Sequence, residues 1–430
     1  MENCPITKEL EDIVLKASSS VGGGILGVDL MESDGGFLVH EINNNVEFKG
    51  VSKFTKDNIA YKIVDYINNI SKRWFVVKVG IMGASGFVGG ELLRLIINHP
   101  EVDLSFATSR QYDGQFLYKV HPNLKGFTEV KFSSFDSSKV SDQCDLLFTA
   151  APHGSSYEFM HDLVNSGVKI VDMSADYRLS NPDMYDKWYG FKHPLPDLLN
   201  SFTFGLPELH RDSIKSSKFT STPGCTALTS ILALAPLIHD KLINSTNIII
   251  DSKVGSSGAG VKPTIGSHHA NRYGVIRPFK PYAHRHTSEI DQELSNLSDN
   301  SVNVSLSVHS VNLVRGILCT SYASLNSDIT EVDIWKSFRQ FYSDSPFVRL
   351  IADKKGLYKY PDPKLLVGSN FCDIGFAYDK SASRLVIMSS SDNLIKGAAG
   401  TAIQNMNLMS GFDEITGLWT PGIHPMWFKW

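Results

Sequence analysis

Apolar and polar positions along the 430-residue chain change their pattern at about Trp74, and that change marks a boundary. Before it, residues 6–19 repeat with helical spacing until Gly22-Gly23-Gly24 breaks the run. Residues 25–31 and 36–42 read as two strands joined by the turn Glu32-Ser33-Asp34-Gly35. Residues 57–70 are amphipathic, with Asp57 placed as N-cap, and Ser71-Lys72-Arg73 forms a polar junction.

After the boundary, residues 75–81 have the apolar run of a buried strand, followed by a glycine-rich stretch and a helix over 91–98. Residues 102–108, 146–150 and 168–173 are further short apolar strands. This βαβ succession predicts a doubly wound parallel sheet. From about Cys225 the pattern changes again. An apolar helix over 228–238 is followed by long strands at 247–254, 303–313 and 385–389, which predict a broad mixed sheet. Residues 394–408 form a helix with small residues on one face, placed to return to the nucleotide domain.

Composition adds mainly exclusions. A formal net charge of -4 gives no bulk electrostatic case for nucleic-acid binding. The five cysteines (Cys4, Cys144, Cys225, Cys319, Cys372) are dispersed, without a CxxC pair, so neither a disulfide framework nor a zinc site is expected. No apolar run reaches the roughly 18 residues that span a bilayer. No basic-then-apolar leader opens the chain, and the expected location is the cytoplasm.

Chemistry concentrates in three places. Gly80-Ile-Met-Gly83-Ala-Ser-Gly86-Phe-Val-Gly89 puts glycines where a strand turns into a helix, so that backbone can approach a pyrophosphate at the helix N-terminus. Gly83, Ser85, Gly86, Phe87 and Val88 are the cofactor contacts expected there. At the end of the second strand, Thr108-Ser109-Arg110 stands where NAD sites carry an acid; hydroxyls and a guanidinium suit a 2′-phosphate, so NADP(H) is the expected cofactor.

The second place is Cys225, directly after Pro223-Gly224 and at the start of a helix, where backbone N–H groups and the dipole favour a thiolate. The other four cysteines read as small buried hydrophobes. Some sixty residues downstream, His284-Arg285-His286 offers a base; in an extended segment both imidazoles share one face, one toward the thiol and one toward substrate or phosphate. His268-His269 is a further pair in a polar loop. Gly255-Ser256-Ser257-Gly258-Ala259-Gly260 is either a plain turn or a loop whose N–H groups bind substrate or an oxyanion, with Ser257 and Gly258 as the contacts.

On these residues the chain from 77 to 430 resembles the N-acetyl-γ-glutamyl-phosphate reductase family, including its lysine-pathway branch, the LysW-γ-aminoadipyl-6-phosphate reductases. The matching stretches are GIMGASGFVGGELLRL, ATSR, HPNLKG, APHGSS, DMSADYRL, FGLPELHR, STPGCTA, GSSGAGVKP, YAHRHTSEI, GSNFCDIGF and NLIKGAAGTAIQNMNLMSG. The resemblance implies an α/β chain: a Rossmann domain over 75–224, completed by 392–430, and a glyceraldehyde-phosphate-dehydrogenase-like α+β catalytic and oligomerisation domain over 225–391. It implies a Cys225 nucleophile, a His286 acid/base, substrate contacts at His284 and Arg285, and cofactor contacts at Asn393, Lys396 and Gly397 from the return helix. It implies a homodimer or homotetramer and no metal for the reductase. Thr222 stands where many members have Asn.

The third place is the N-terminal segment. Paired strands bring Asp29 to Glu41, with Asn43 on the Glu41 face, a set suited to Mg²⁺ on nucleotide phosphates. Residues 1–72 resemble the C-terminal end of an ATP-grasp ligase of the LysW–aminoadipate or ribosomal-S6-modification type. The portion that covers ATP is absent, so the segment is expected to be a ligase remnant or a shifted start, with Asp29, Glu41 and Asn43 vestigial. That remnant, and cations Arg272, Arg277 and Lys280 suited to an acidic carrier, favour a carrier-bound acyl phosphate as substrate. The expected reaction is NADPH-dependent reduction of an acyl phosphate to a semialdehyde through a cysteine thioester, in lysine or arginine biosynthesis. The alternatives are reduction of N-acetyl-γ-glutamyl phosphate, aspartate-semialdehyde dehydrogenase activity, and a non-catalytic carrier-binding scaffold.

Overall fold

The computed structural model describes residues 6–21, 25–33, 35–43, 58–74, 76–326 and 329–423. It forms two compact units, Met1–Val76 and Val77–Trp430.

The first unit consists of helix α1 (Lys8–Ser20), strands β1 (Gly27–Ser33) and β2 (Gly36–Asn43), and helix α2 (Ile59–Trp74). Thr7 caps α1 by accepting the Leu10 N–H at 3.3 Å. The antiparallel ladder sets Asp29 opposite Glu41 and Gly27 opposite Asn43. Two expectations change here. The expected cap Asp57 lies outside the described residues, and Asn58 accepts the Tyr61 N–H at 3.0 Å. The polar run 71–73 is no junction, because α2 continues through it to Trp74. Lys and Arg are good helix formers, so polarity alone did not end it.

The second unit holds two sheets. The first is wholly parallel, from β3 (Val77–Met82), helix α3 (Phe87–Ile97), β4 (Val102–Thr108), β5 (Phe132–Ser133), β6 (Leu146–Thr149), β7 (Lys169–Asp172), β8 (Thr203–Phe204), helix α4 (Pro207–Ser216) and β9 (Phe219–Ser221), in strand order β5-β4-β3-β6-β7-β9-β8. The second follows helix α5 (Cys225–His239): β10 (Ile248–Val254), β11 (Ile276–Lys280), helix α6 (His286–Asn296), β12 (Val304–Val311), β13 (Ile317–Ser324), helix α7 (Glu331–Phe341), β14 (Val348–Leu350), β15 (Cys372–Asp379) and β16 (Arg384–Ser391). Its order is β11-β12-β10-β13-β16-β15-β14, and it is mixed.

Helix α5 is the centre of the second core. Every residue from Thr226 to Ile238 is buried, and each large aliphatic side chain contributes about 1.5–3 kcal/mol by leaving water. Pro236 cannot donate to the Leu232 carbonyl, and the Tyr342 hydroxyl takes that acceptor at 2.5 Å.

After β16 the chain makes a π-helical turn, Ile395–Ala399, and only then the regular helix α8 (Gly400–Ser410). Ile395, Ala402, Ile403 and Met406 share one apolar cluster with Val79, Ile81, Leu92 and Ile96 of the parallel sheet and α3. The expected uninterrupted helix is therefore divided, and its π turn lies beside Cys225: a Cβ on Gly397 would stand 2.6 Å from the Cys225 Cβ.

Candidate active site

The parallel sheet, α5 and the π turn enclose a cleft of about 750 Å³. At one end are the dinucleotide elements. Gly83 has φ +82°, and a Cβ there would meet the Ala150 carbonyl oxygen at 2.8 Å, so only glycine fits. A Cβ on Gly89 would strike the Ala84 backbone at 2.6 Å, which brings α3 close against the strand turn. Gly86 faces open cleft, with no atom within 4 Å of an added Cβ, and it precedes α3 without a capping side chain. The first N–H groups of α3 are thus left for a phosphate, and the residues fit a dinucleotide.

Ser85, Phe87, Val88, Thr108, Ser109 and Arg110 line the same end. Thr108 accepts the Gly83 N–H at 3.3 Å, and Ser109 donates to Ser85 at 3.1 Å. Arg110 is exposed and meets Glu158 at 3.4 Å. Among the described residues, the lining contains no carboxylate but carries Arg110, Arg178, Lys262 and Arg285.

The thiol lies at the other end. Gly224 precedes α5 in extended conformation, and its N–H donates to the Glu289 carboxylate at 2.7 Å. Cys225 is half-buried. Its thiol is pushed up by burial, which outweighs the Thr226 hydroxyl and N–H and the Arg178 charge, all favouring the thiolate. The first turn favours the thiolate through Thr226, as the helix start implies, and desolvation acts against it.

His286 opens α6, and its imidazole lies over Gly224; a Cβ there would sit 2.3 Å from Nε2. Burial, aided by His284, Arg178 and Arg285, holds this imidazole well below its ordinary pKa, so it is neutral. Nε2 is 4.0 Å from Glu289, and Nδ1 has no partner. The histidine segment is not extended. Ala283 turns at φ +55°, and His284 Nδ1 accepts the His286 N–H at 3.2 Å. The two rings meet edge-on at 4.6 Å. His284 therefore buttresses His286 and is absent from the cleft lining, while Arg285 lines it.

Several other expected contacts are also placed. Asn393 and Gly397 line the cleft; Asn393 donates to Ser257 at 2.9 Å and accepts the Gly316 N–H at 2.8 Å. Lys396 does not face the cleft: fully buried, it donates to Glu208 at 2.6 Å and Gln404 at 2.8 Å. Its assignment to the cofactor is corrected to a structural ion pair. Ser257 and Gly258 line the cleft, but the N–H groups of residues 255, 256, 257, 258 and 260 all go to backbone carbonyls. That loop has few amides left to bind an oxyanion. His268 precedes and His269 opens a short helical turn outside the lining. Arg272 donates to the Val254 carbonyl at 3.2 Å and Arg277 to that of Asn271; Arg277 and Lys280 are on the exposed edge strand β11.

Asp29 and Glu41 are exposed on the N-terminal hairpin, and no group of three or more His, Cys, Asp or Glu converges among the described residues. Cys144, Cys319 and Cys372 are buried; Cys4 lies outside the described residues. No described helix is long and apolar enough to cross a membrane.

Sequence reasoning did not single out Arg178, Glu289 or His153. Arg178 is buried and bonds Glu289 at 3.1 Å and the Met173 carbonyl at 3.2 Å. Both residues lie in stretches that carry the family likeness, DMSADYRL and YAHRHTSEI, but a pairing 111 positions apart has no local signal.

Comparisons with known proteins match three stretches of the chain. The family model "Semialdehyde dehydrogenase, NAD binding domain" matches residues 78–217, and "Semialdehyde dehydrogenase, dimerisation domain" matches 225–393. "RimK-like ATP-grasp domain" matches residues 1–67. A LysW-L-2-aminoadipate/LysW-L-glutamate phosphate reductase of Saccharolobus solfataricus is 45% identical over 342 residues, 80% of this chain and 97% of its own length. A Nitrosopumilus maritimus protein, provisionally of the same name, is 58% identical over 346 residues, 80% of this chain and 99% of that one. Among solved structures, aspartate semialdehyde dehydrogenase with NADP from Candida albicans aligns at TM-score 0.58 and 15% identity, covering 78% of this chain and 98% of that one. The Vibrio cholerae aspartate semialdehyde dehydrogenase II aligns at 0.57 and 18%, with the same coverage. These structures share the fold.

Proposed function

The chain belongs to the family of LysW-L-2-aminoadipate/LysW-L-glutamate phosphate reductases, and on that premise we propose that it reduces a carrier-bound aminoadipyl or glutamyl phosphate to the semialdehyde. One observation carries the reading: a single cleft joins the glycine turn at Gly83 to Cys225 and His286. The cationic lining suits an acyl phosphate and a dinucleotide, both anionic.

Thiolate of Cys225 attacks the acyl carbon and phosphate leaves, giving a thioester. His286, neutral and lying over the neighbouring Gly224, takes the thiol proton; this offsets a thiol that burial keeps protonated. The reduced dinucleotide, when bound, supplies the hydride that brings the thioester to the aldehyde level. His286 then manages the proton as the C–S bond breaks and the thiol is restored. Glu289 fixes the sulfur's turn through Gly224 and is itself fixed by Arg178.

Thr108, Ser109 and Arg110, with no acid among them, support NADP(H) over NAD(H). The dimerisation description of the second family model supports a homo-oligomer. The N-terminal unit, matching one end of an ATP-grasp domain, is proposed to lack ligase activity by itself.

The test is phosphate-dependent reduction of NADP⁺, comparing LysW-linked aminoadipate semialdehyde with N-acetylglutamate semialdehyde. Preference for the carrier-linked aldehyde is expected. Preference for the acetylated one would move the assignment to N-acetyl-γ-glutamyl-phosphate reduction, and an active C225S variant would remove the thioester. No activity on either would favour a scaffold.

A further inference from the structure

Attack on a carbonyl places negative charge on its oxygen, and a donor must meet that charge. The amides around the sulfur are nearly all committed. Thr222 N–H donates to the Asp172 carbonyl at 2.7 Å, Pro223 has none, and Gly224 N–H goes to Glu289. Thr226 N–H is turned to the sulfur itself. At most the Cys225 N–H remains from residues 222–226, and Asn393 is engaged with Ser257. A second donor has to come from a side chain lining the cleft, where the Thr222 hydroxyl has no partner among the described residues and His153 stands on the facing loop.

His153 meets that need. It lies on the loop after β6 and lines the cleft. The loop is held firmly: Gly154 N–H donates to both Asp176 oxygens, at 2.8 and 3.0 Å, and Ser156 donates to Asp176 at 2.6 Å. His153 Nδ1 accepts the Ala175 N–H at 2.9 Å, so in the neutral ring the proton must be on Nε2. The residue is exposed at the cleft wall, yet desolvation of its ring, together with the Arg285 and Arg178 charges, lowers its pKa and keeps the ring neutral. Ala175 lies on the stretch that carries Arg178, and Arg178 bonds Glu289, which holds the Gly224 amide, so His153 is at the thiol end of the cleft.

Resting on the thioester reading above, the geometry points to His153 as the hydrogen-bond donor to the carbonyl oxygen of the acyl group attacked by Cys225. As the S–C bond forms, the carbonyl electron pair moves onto oxygen and is met by Nε2–H. The pair returns as the leaving group departs, and His153 keeps its proton throughout.

Acylation by p-nitrophenyl acetate tests this without phosphate or nucleotide, because a burst of p-nitrophenolate reports attack on a carbonyl. Alkylation by iodoacetamide reports the same thiol without an oxyanion. H153L should slow the burst about 100-fold while changing alkylation less than about two-fold. Gln reaches the Nε2 position and Asn does not, so H153Q should be about ten-fold faster than H153N, a comparison that holds even if H153L fails to fold. A burst in H153L within about three-fold of wild type, equal loss of burst and alkylation, or equal rates in H153Q and H153N would overturn the assignment. If the wild-type burst is present and depends on Cys225, such a result defeats this inference alone; a wild-type chain with no burst defeats the thioester reading as well.

Discussion

Replacing Lys396 by Met separates a structural lysine from a cofactor ligand. The ammonium and the Glu208 carboxylate are both fully buried and 2.6 Å apart. Gln404 links them, accepting from Lys396 and donating to Glu208 at 3.1 Å and Glu414 at 2.6 Å. Among the described residues the other Glu208 oxygen has no hydrogen-bond partner, while the Arg211 charge also acts on the carboxylate. Breaking a buried pair on one side typically costs about 3–5 kcal/mol, because the remaining charge keeps its desolvation penalty. K396M should lose that much in urea unfolding, and E208Q/K396M, which removes both charges, should recover most of it. Lys396 holds the Glu208 carboxyl below its ordinary range, so the pair stabilises above that range and fades as acid protonates Glu208. The difference between wild type and K396M should therefore shrink on acidification. Affinity for NADP⁺, measured by calorimetry on the same proteins, should change little because the ammonium points away from the cleft. K396M within about 1 kcal/mol of wild type would refute the buried-pair argument; intact stability with a large loss of affinity would restore the cofactor role.

Three further outcomes follow from the site. The raised Cys225 thiol and lowered His286 imidazole predict iodoacetamide reactivity that climbs with pH toward and beyond about 8.5, without an inflection near the usual histidine pKa; full reactivity at neutral pH would contradict this. Asp172, fully buried, has its carboxyl raised by desolvation to about 7, so the fold binds an extra proton and stability should fall as pH rises from the usual carboxylate range to about 7. In D172N that slope in melting temperature should flatten, and an unchanged slope would assign it elsewhere. Deleting residues 1–75 should leave turnover near wild type, since the cleft is lined only by residues between Met82 and Ala398; complete loss in a folded truncation would show that the N-terminal unit is needed.

How much the sequence disclosed depended on distance along the chain. The strand over 102–108 was legible residue for residue, because Val102, Leu104 and Phe106 alternate with polar residues between polar turns. The first helix was also legible, although Thr7, which caps it, shortens it at the front. Residues 71–73 misled because a short polar run looks like a break in one dimension, whereas the backbone of α2 runs on through it. The histidine triplet misled for a similar reason. Alternation suits a strand, but a left-handed Ala283 and the start of α6 brought the two rings together by another route.

By itself, the sequence determined the parallel and mixed sheets, the nucleotide turn, the thiol at a helix start and the ligase-like first unit. These depend on local periodicity and on glycines at fixed spacing, which act within a turn or two of chain. Tertiary structure alone decided which charges are spent internally. Lys396 belongs to Glu208, 188 positions away, and Arg178 to Glu289, 111 positions away. It also decided that the Gly224 amide goes to Glu289, 65 positions away. Pairings of that kind are set by burial, since a charge or N–H removed from water must take the partner that packing brings within reach.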